Sequence, residues 1–148
     1  MSDLMKGKRG LIMGVANERS IAWGIAKAMA DAGAELAFTY QGEAFGKRVE
    51  PLAASVGSDI LVDVDVTDDA SLDRAFATLA DKWGKLDFVV HAVAFSDKSE
   101  LTGRFLNTSR DNFKTSLEIS CYSLSEVTRR AHPLMTDGGT ILTLTYQG

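Results

Sequence analysis

The sequence predicts an α/β fold, a doubly wound parallel sheet. Three observations carry this. Short apolar runs alternate with amphipathic stretches along the 148-residue chain. The runs are strand-length, while the stretches between them keep helical spacing. Glycines 14, 33 and 84 punctuate the boundaries. Strand–helix alternation implies parallel strands, right-handed crossovers and helices on both faces. The expected spatial order is 3-2-1-4-5, with a ligand crevice where the order reverses, at strands 1 and 4.

The elements follow in order. Leu11-Ile12-Met13 is the first strand, ending at Gly14. Ser20 to Ala32 is a helix with Ile21, Ile25 and Met29 at four-residue spacing and Gly33 as its stop. Gly24 and Ala28 would let it approach the sheet. Leu36 to Tyr40 is the second strand. Gly42 to Ser55 is a helix with Phe45, Val49, Leu52 and Ala53 on one side and a potential kink at Pro51. Ile60 to Val64 is the third strand. Asp68 or Asp69 caps a helix whose stripe is Leu72, Phe76, Leu79 and Trp83, closed by Gly84. Leu86 to Val93 is the fourth strand. Ser109 caps a helix from Arg110 to about His132, with Phe113, Leu117, Leu124 and Ala131 expected to face the sheet and Ile119 and Tyr122 on a second side. Thr140 to Tyr146 is the fifth strand, expected to leave an exposed sheet edge.

Length allows one domain, residues 1-148. Composition is that of a globular chain, at 45% hydrophobic and 24% charged. A net charge of −4 without a basic tract disfavours nucleic acid and anionic membranes as partners. There is one cysteine and no Cys/His cluster, so no disulfide or metal is expected. No apolar signal core and no membrane-length apolar run stands in the sequence, which points to a cytoplasmic chain.

The turn after the first strand, Gly14 to Gly24, has the position of a dinucleotide-phosphate turn. Gly14 supplies a tight turn, and Ser20 and Ile21 stand where the helix begins. The G-x-G-x-x-G fingerprint is absent, so a plain structural loop and cap is an equal reading. The second strand ends in Tyr40-Gln41 where an acid for the adenosine ribose is usual. Gln41 can hydrogen-bond there without charge. This favours NADH over NADPH, although Lys47 and Arg48 could fold back; Gln41 as an ordinary loop residue is the alternative. Asp65, in Asp63-Val64-Asp65-Val66, lies at a strand's carboxyl end and could accept from an adenine amino group; helix capping is its alternative. His91 sits within the fourth strand without a partner carboxylate and reads as a packed, tautomer-locked residue. His132 reads as a surface residue, and Cys121 as a small core residue. Tyr146 is either a hydroxyl donor beside the crevice or an aromatic packing residue.

Together these segments resemble the bacterial NADH-dependent enoyl-acyl carrier protein reductases, a divergent branch of the short-chain dehydrogenase/reductases. The resemblance rests on Gly14-Val-Ala with Ser20-Ile-Ala-Trp-Gly, Ala34 to Gln41, Asp63 to Val66, His91 to Phe95, Ile119 to Ser123 and Leu142 to Tyr146. It implies a Rossmann-like domain in which Gly14, Ser20 and Ile21 hold the pyrophosphate. Gln41 would lie by the adenosine, Asp65 and Val66 would bracket the adenine, and Val93 would lie near the nicotinamide. Ser96 would border the acyl pocket. Tyr146 would be the first of two active-site tyrosines. Ala94 stands where many members have glycine.

The family's second tyrosine and its lysine lie beyond Tyr146, as do its last strands. The chain therefore reads as the N-terminal part of a single dinucleotide-binding domain, truncated before the C-terminal strands and inactive alone. The implied activity is hydride transfer from NADH to the β-carbon of a trans-2-enoyl thioester carried on acyl carrier protein. The implied assembly is a homo-oligomer, a tetramer for the whole protein. A carbonyl-reducing short-chain dehydrogenase/reductase and a non-catalytic nucleotide-binding fragment are the alternatives.

Overall fold

The computed structural model describes residues 2–147. Strands β1 (Arg9–Met13), β2 (Glu35–Tyr40), β3 (Ile60–Asp63), β4 (Phe88–His91) and β5 (Thr140–Thr143) form one sheet in the order β3-β2-β1-β4-β5. All four neighbouring pairs are parallel. Met13 lies level with Thr39 and His91, Tyr40 with Asp63, and His91 with Thr143. Every strand therefore ends near one edge of the sheet, and every outgoing turn collects there.

Helices α1 (Ile21–Asp31) and α2 (Glu43–Ser55) cover one face. Ala22, Trp23, Ala26, Val49 and Ala53 pack there on Ile12, Phe38 and Val90. Helix α3 (Asp69–Lys82) and the later helix α5 (Ser123–Ala131) cover the other. Leu72, Phe76, Leu79 and Val127 pack there on Leu11, Met13 and Val89. Adjacent strand residues alternate between the two cores because successive side chains leave a strand on opposite sides. No helix among the described residues is long and apolar enough to cross a membrane.

The α3 stripe is buried as expected, with Trp83 only partly so. The α1 expectation needs correction. Ile21 is exposed, Ile25 and Met29 lie at the margin, and the small residues meeting the sheet are Ala22 and Ala26 rather than Gly24 and Ala28, both exposed. Trp23 fills the space beside them and stacks obliquely on Phe38, with ring centroids 6.2 Å apart. Strand β4 stops at His91 and β5 at Thr143, so both end before Val93 and Tyr146. The edge of β5 facing away from β4 is unpaired among the described residues.

The expected helix 110–132 is two α-helices joined by a wider turn. Helix α4 (Arg110–Leu117) runs into a π-turn, Glu118–Tyr122, and then into α5. Phe113 and Leu117 point outward, 54% and 48% exposed, against the expected orientation. Asn112 and Ser123 are buried instead. Cys121, expected in the core, is exposed. The cause is a polar inner stripe: Asn112, Ser120 and Ser123 find partners on the loop after β4 or at the end of the sheet, and Ser116 donates to Asn112 Oδ1.

Asp68, not Asp69, caps α3, accepting from the Ala70 N–H at 3.0 Å. Replacing Asp68 with alanine should cost about 1 kcal/mol of stability. Asp69→Ala, which loses an exposed 3.4 Å contact to Arg130 and an exposed first-turn acid, should cost less. Urea melts of the two variants make the comparison.

Candidate functional site

The outgoing turns enclose a crevice of about 190 Å³ at the β1/β4 reversal. Gly14 and Ala16 line it from the β1 turn, Gln41 and Phe45 from beyond β2, Val66 from beyond β3, and Val93 and Ala94 from beyond β4. Roomier surface grooves lie elsewhere, one between β2 and α2 at Tyr40, Glu43 and Lys47, one beside the 17–19 loop and one by the amino ends of the strands. The groove beside residues 17–19 is walled only by the β1 turn and α2, and none of these grooves gathers the carboxyl-end turns of several strands.

Gly14 is the narrowest point. Its φ is 101°, and a Cβ built there would stand 1.9 Å from the Ala92 carbonyl oxygen. Only glycine fits, because the turn after β1 presses directly on the turn after β4. The sequence reads this glycine as a tight turn, and the close approach it permits is to Ala92.

The loop from Gly14 to α1 is shaped by Ser20. Its Oγ accepts the N–H of Ala16 at 2.9 Å and of Asn17 at 3.2 Å. The Ser20 carbonyl takes the N–H groups of Trp23 and Gly24. The side chain thus folds back onto the loop instead of capping α1. Among the described residues no acceptor takes the Ile21 or Ala22 N–H. These two amides stand at the positive end of an 11-residue helix with no acid in its first turn. The Ser20 hydroxyl hydrogen is also free to be donated. Three donors therefore sit together beside the Gly14 turn, which is the chemistry a pyrophosphate requires. Ile21 offers its backbone, since its side chain is exposed.

Asp65 lies just outside the crevice lining. Its Oδ1 accepts from the Thr67 N–H at 2.9 Å and the Thr67 hydroxyl at 2.7 Å, which closes the turn into α3. Ser71 holds its backbone N–H. The carboxylate keeps Oδ2 for another donor. Val66, next to it, does line the crevice. Ser96 stands apart, receiving the Asn112 Nδ2 at 3.2 Å. Tyr146 lies beyond the end of β5 and is 97% exposed, touching none of the other candidates.

Sequence reasoning does not single out Asn112 and Ser120. Asn112 Oδ1 accepts the Asp97 N–H at 2.9 Å, and its own N–H is capped by Ser109. Ser120 Oγ takes the Phe95 N–H at 3.0 Å and gives its hydrogen to the Phe95 carbonyl. Both pin the strand-to-helix loop that continues from Val93. Their signal is a four-residue polar spacing, which on sequence alone resembles the outward face of a helix.

His91 is buried and structural, as its sequence context implies. Nε2 lies 2.7 Å from Ser123 Oγ, and Nδ1 lies 2.9 Å from Thr143 Oγ1. The single Ser123 hydroxyl hydrogen goes to the Ile119 carbonyl at 2.6 Å. Ser123 must then accept from Nε2–H, leaving Nδ1 to accept from Thr143. The ring is thus a neutral tie between β4, β5 and the π-turn. Burial holds its pKa below the ordinary 6.5.

The unfolded chain takes up this proton near pH 6.5 while the folded one resists it, so stability is present above that pH and lost as pH falls below it. Thermal melts should fall between about pH 7.5 and about pH 5.5. The His91→Gln variant, less stable at both pH values, should show a shallower fall.

Comparison with known proteins adds the lineage. The family profile described as Enoyl-(Acyl carrier protein) reductase matches residues 14–148. The NADH-named enoyl-[acyl-carrier-protein] reductase 1 of Rhizobium meliloti is 64% identical over 147 residues, 99% of this chain and 54% of the relative. Among solved structures, FabI from Candidatus Liberibacter asiaticus matches with a TM-score of 0.98 at 56% identity, over 100% of this chain and 57% of that one. The Anaplasma phagocytophilum reductase, solved in complex with NAD, matches with a TM-score of 0.95 at 58% identity, over 99% and 56%. The chain spans about half the length of the curated relatives it matches. With the β3-β2-β1-β4-β5 sheet, the Gly14 turn and the free amides of α1, these matches establish that the chain belongs to the enoyl-acyl carrier protein reductase family.

Proposed function

We propose that this chain is the nucleotide-binding part of a cytoplasmic NADH-dependent enoyl-acyl carrier protein reductase, within a single Rossmann-like domain. The observation that carries the reading is the trio of donors next to the crevice, the N–H groups of Ile21 and Ala22 with the Ser20 hydroxyl, beside a turn that only glycine can make. Gly14, Ser20 and Ile21 would hold the pyrophosphate. Gln41 would meet the adenosine, Val66 and the free oxygen of Asp65 the adenine, and Val93 the nicotinamide side. The bound dinucleotide supplies the hydride that reduces the β-carbon of a trans-2-enoyl thioester. The chain's own task is alignment, which is the main source of rate in such a transfer. Asn112 and Ser120 fix the loop from Val93 to Asp97, and Ser96 on that loop would border the acyl chain. Tyr146 would present its hydroxyl to the reacting end of the site.

Homo-oligomerisation, as a tetramer of the whole protein, belongs to the same reading. Phe113, Leu117 and Tyr122 form an outward apolar face, and β5 has a bare edge among the described residues. Light scattering on the 148-residue chain should register association. A monodisperse monomer with a sharp melt would remove this part of the reading.

Nucleotide binding is expected to outlast catalysis in this chain. Titration by nicotinamide fluorescence should give NADH binding that is tighter than NADPH binding. Ser20→Ala, which releases two loop amides and deletes one donor, should weaken NADH by about tenfold or more. Asp65→Ala should weaken it more than His91→Gln does. Absence of NADH binding to a folded chain would overturn the function.

A further inference from the structure

The crevice holds an inconsistency that the proposed function leaves open. In doubly wound folds an acid at the end of β2 selects the ribose 2′-hydroxyl and repels a 2′-phosphate. Here β2 ends in Tyr40 and then the neutral Gln41. The next residue, Gly42, with φ 81°, immediately precedes the 13-residue α2 as its N-cap. A bare helix start at that place would attract a phosphate. Gln41 alone therefore provides no ground for preferring NADH.

Two carboxylates reverse the local charge. Asp63, the last residue of β3, lies level with Tyr40, and its Oδ1 accepts the Gly42 N–H at 3.0 Å. Its second oxygen and its charge stay at the mouth of α2, exposed. Glu43 is the first residue of α2 and adds another charge at the same helix end. Its carboxylate also holds the Lys47 Nζ at 3.1 Å. Arg48, the next cation along α2, lies over the Phe45 ring, 5.8 Å from its centroid. Lys47 and Arg48, the groups the sequence offers for a 2′-phosphate, are both engaged with α2 itself.

We propose that Asp63 and Glu43 together make this nucleotide site select NADH over NADPH, Asp63 from β3 taking the role usually held by an acid at the end of β2. Asp63 does so while clamping the loop through Gly42, and Glu43 does so while neutralising Lys47. The inference rests on the dinucleotide reading above and adds its specificity determinant.

The test is NADH and NADPH titration of the intact protein against Glu43→Gln, Asp63→Asn and the double variant. The side-chain amide oxygen that Asp63→Asn introduces can still accept the Gly42 N–H, so charge is removed while the clamp is retained. The double variant should bind NADPH about tenfold tighter, with NADH changed less than about twofold. Glu43→Gln alone, at an exposed position without fold risk, should gain about threefold for NADPH. In the unmodified protein the preference should shrink as KCl rises, because repulsion between exposed charges is screened, and in the double variant it should be flat. A double variant that discriminates as strongly as the parent overturns the proposal, as does a parent that binds both nucleotides equally; in either case the dinucleotide reading survives. A folded parent that binds neither nucleotide overturns both.

Discussion

The contact between Gly14 and Ala92 is the constraint on which the site depends. It brings the turns after β1 and β4 into van der Waals contact at the point where the chain reverses its direction across the sheet. The Ala92 N–H given to the Met13 carbonyl, at 3.1 Å, extends the strand pairing to the last possible residue. From there the two chains must diverge, one into α1 and the other into the 92–97 loop. The crevice is the wedge they leave. A side chain at position 14 would push the wedge apart and move both of its walls.

Each wall is then set by a serine used in an unusual direction. Ser20 stands where a helix cap belongs, yet its oxygen turns back to hold the loop. The usual cap would have consumed a helix amide; this one leaves two of them open. On the other wall Ser120 grips both backbone groups of Phe95. Short hydroxyl side chains thus commit their hydrogen bonds to loop geometry, and the backbone donors are left for a ligand. The same division of labour is visible at His91, whose two nitrogens are both occupied by hydroxyls and whose burial keeps it neutral.

The sheet order, the α3 stripe, the Ser109 cap and the structural role of His91 can all be read from the residues. These features depend on local spacing or on a single cap, which sequence records directly. Gly14, Gln41, Val66 and Val93 are also legible as one group, because the carboxyl ends of parallel strands must converge. The inner face of residues 110–131 is not. Apolar spacing points to Phe113 and Leu117, but the groups that face inward there satisfy loop amides rather than a hydrocarbon core. Asn112 looks like a surface residue for the same reason. The specificity role argued for Asp63 is hidden because β3 supplies the charge at the end of β2, and no one-dimensional pattern records neighbouring strands.

The π-turn has a consequence for how this helix tolerates change. An α-helix advances about 100° per residue, which on a single regular helix would leave Asn112 and Ala131 about 100° out of step. A wider turn of the Glu118–Tyr122 kind accommodates an additional residue and so offsets the phase of α4 against α5. Asn112 at one end and Ala131 at the other can therefore both face inward. The Ile119 carbonyl accepts the Ser123 hydroxyl, which links that phase offset to the His91 tie. Winding the 118–122 turn into regular α-helix without removing a residue would rotate α4 by about 100° against α5, turning Asn112 away from Asp97, whereas deleting one residue there leaves eighteen steps, about five whole turns, and keeps the phase. The helix works as two cams on one shaft, and the angle between them is what holds the loop against the crevice.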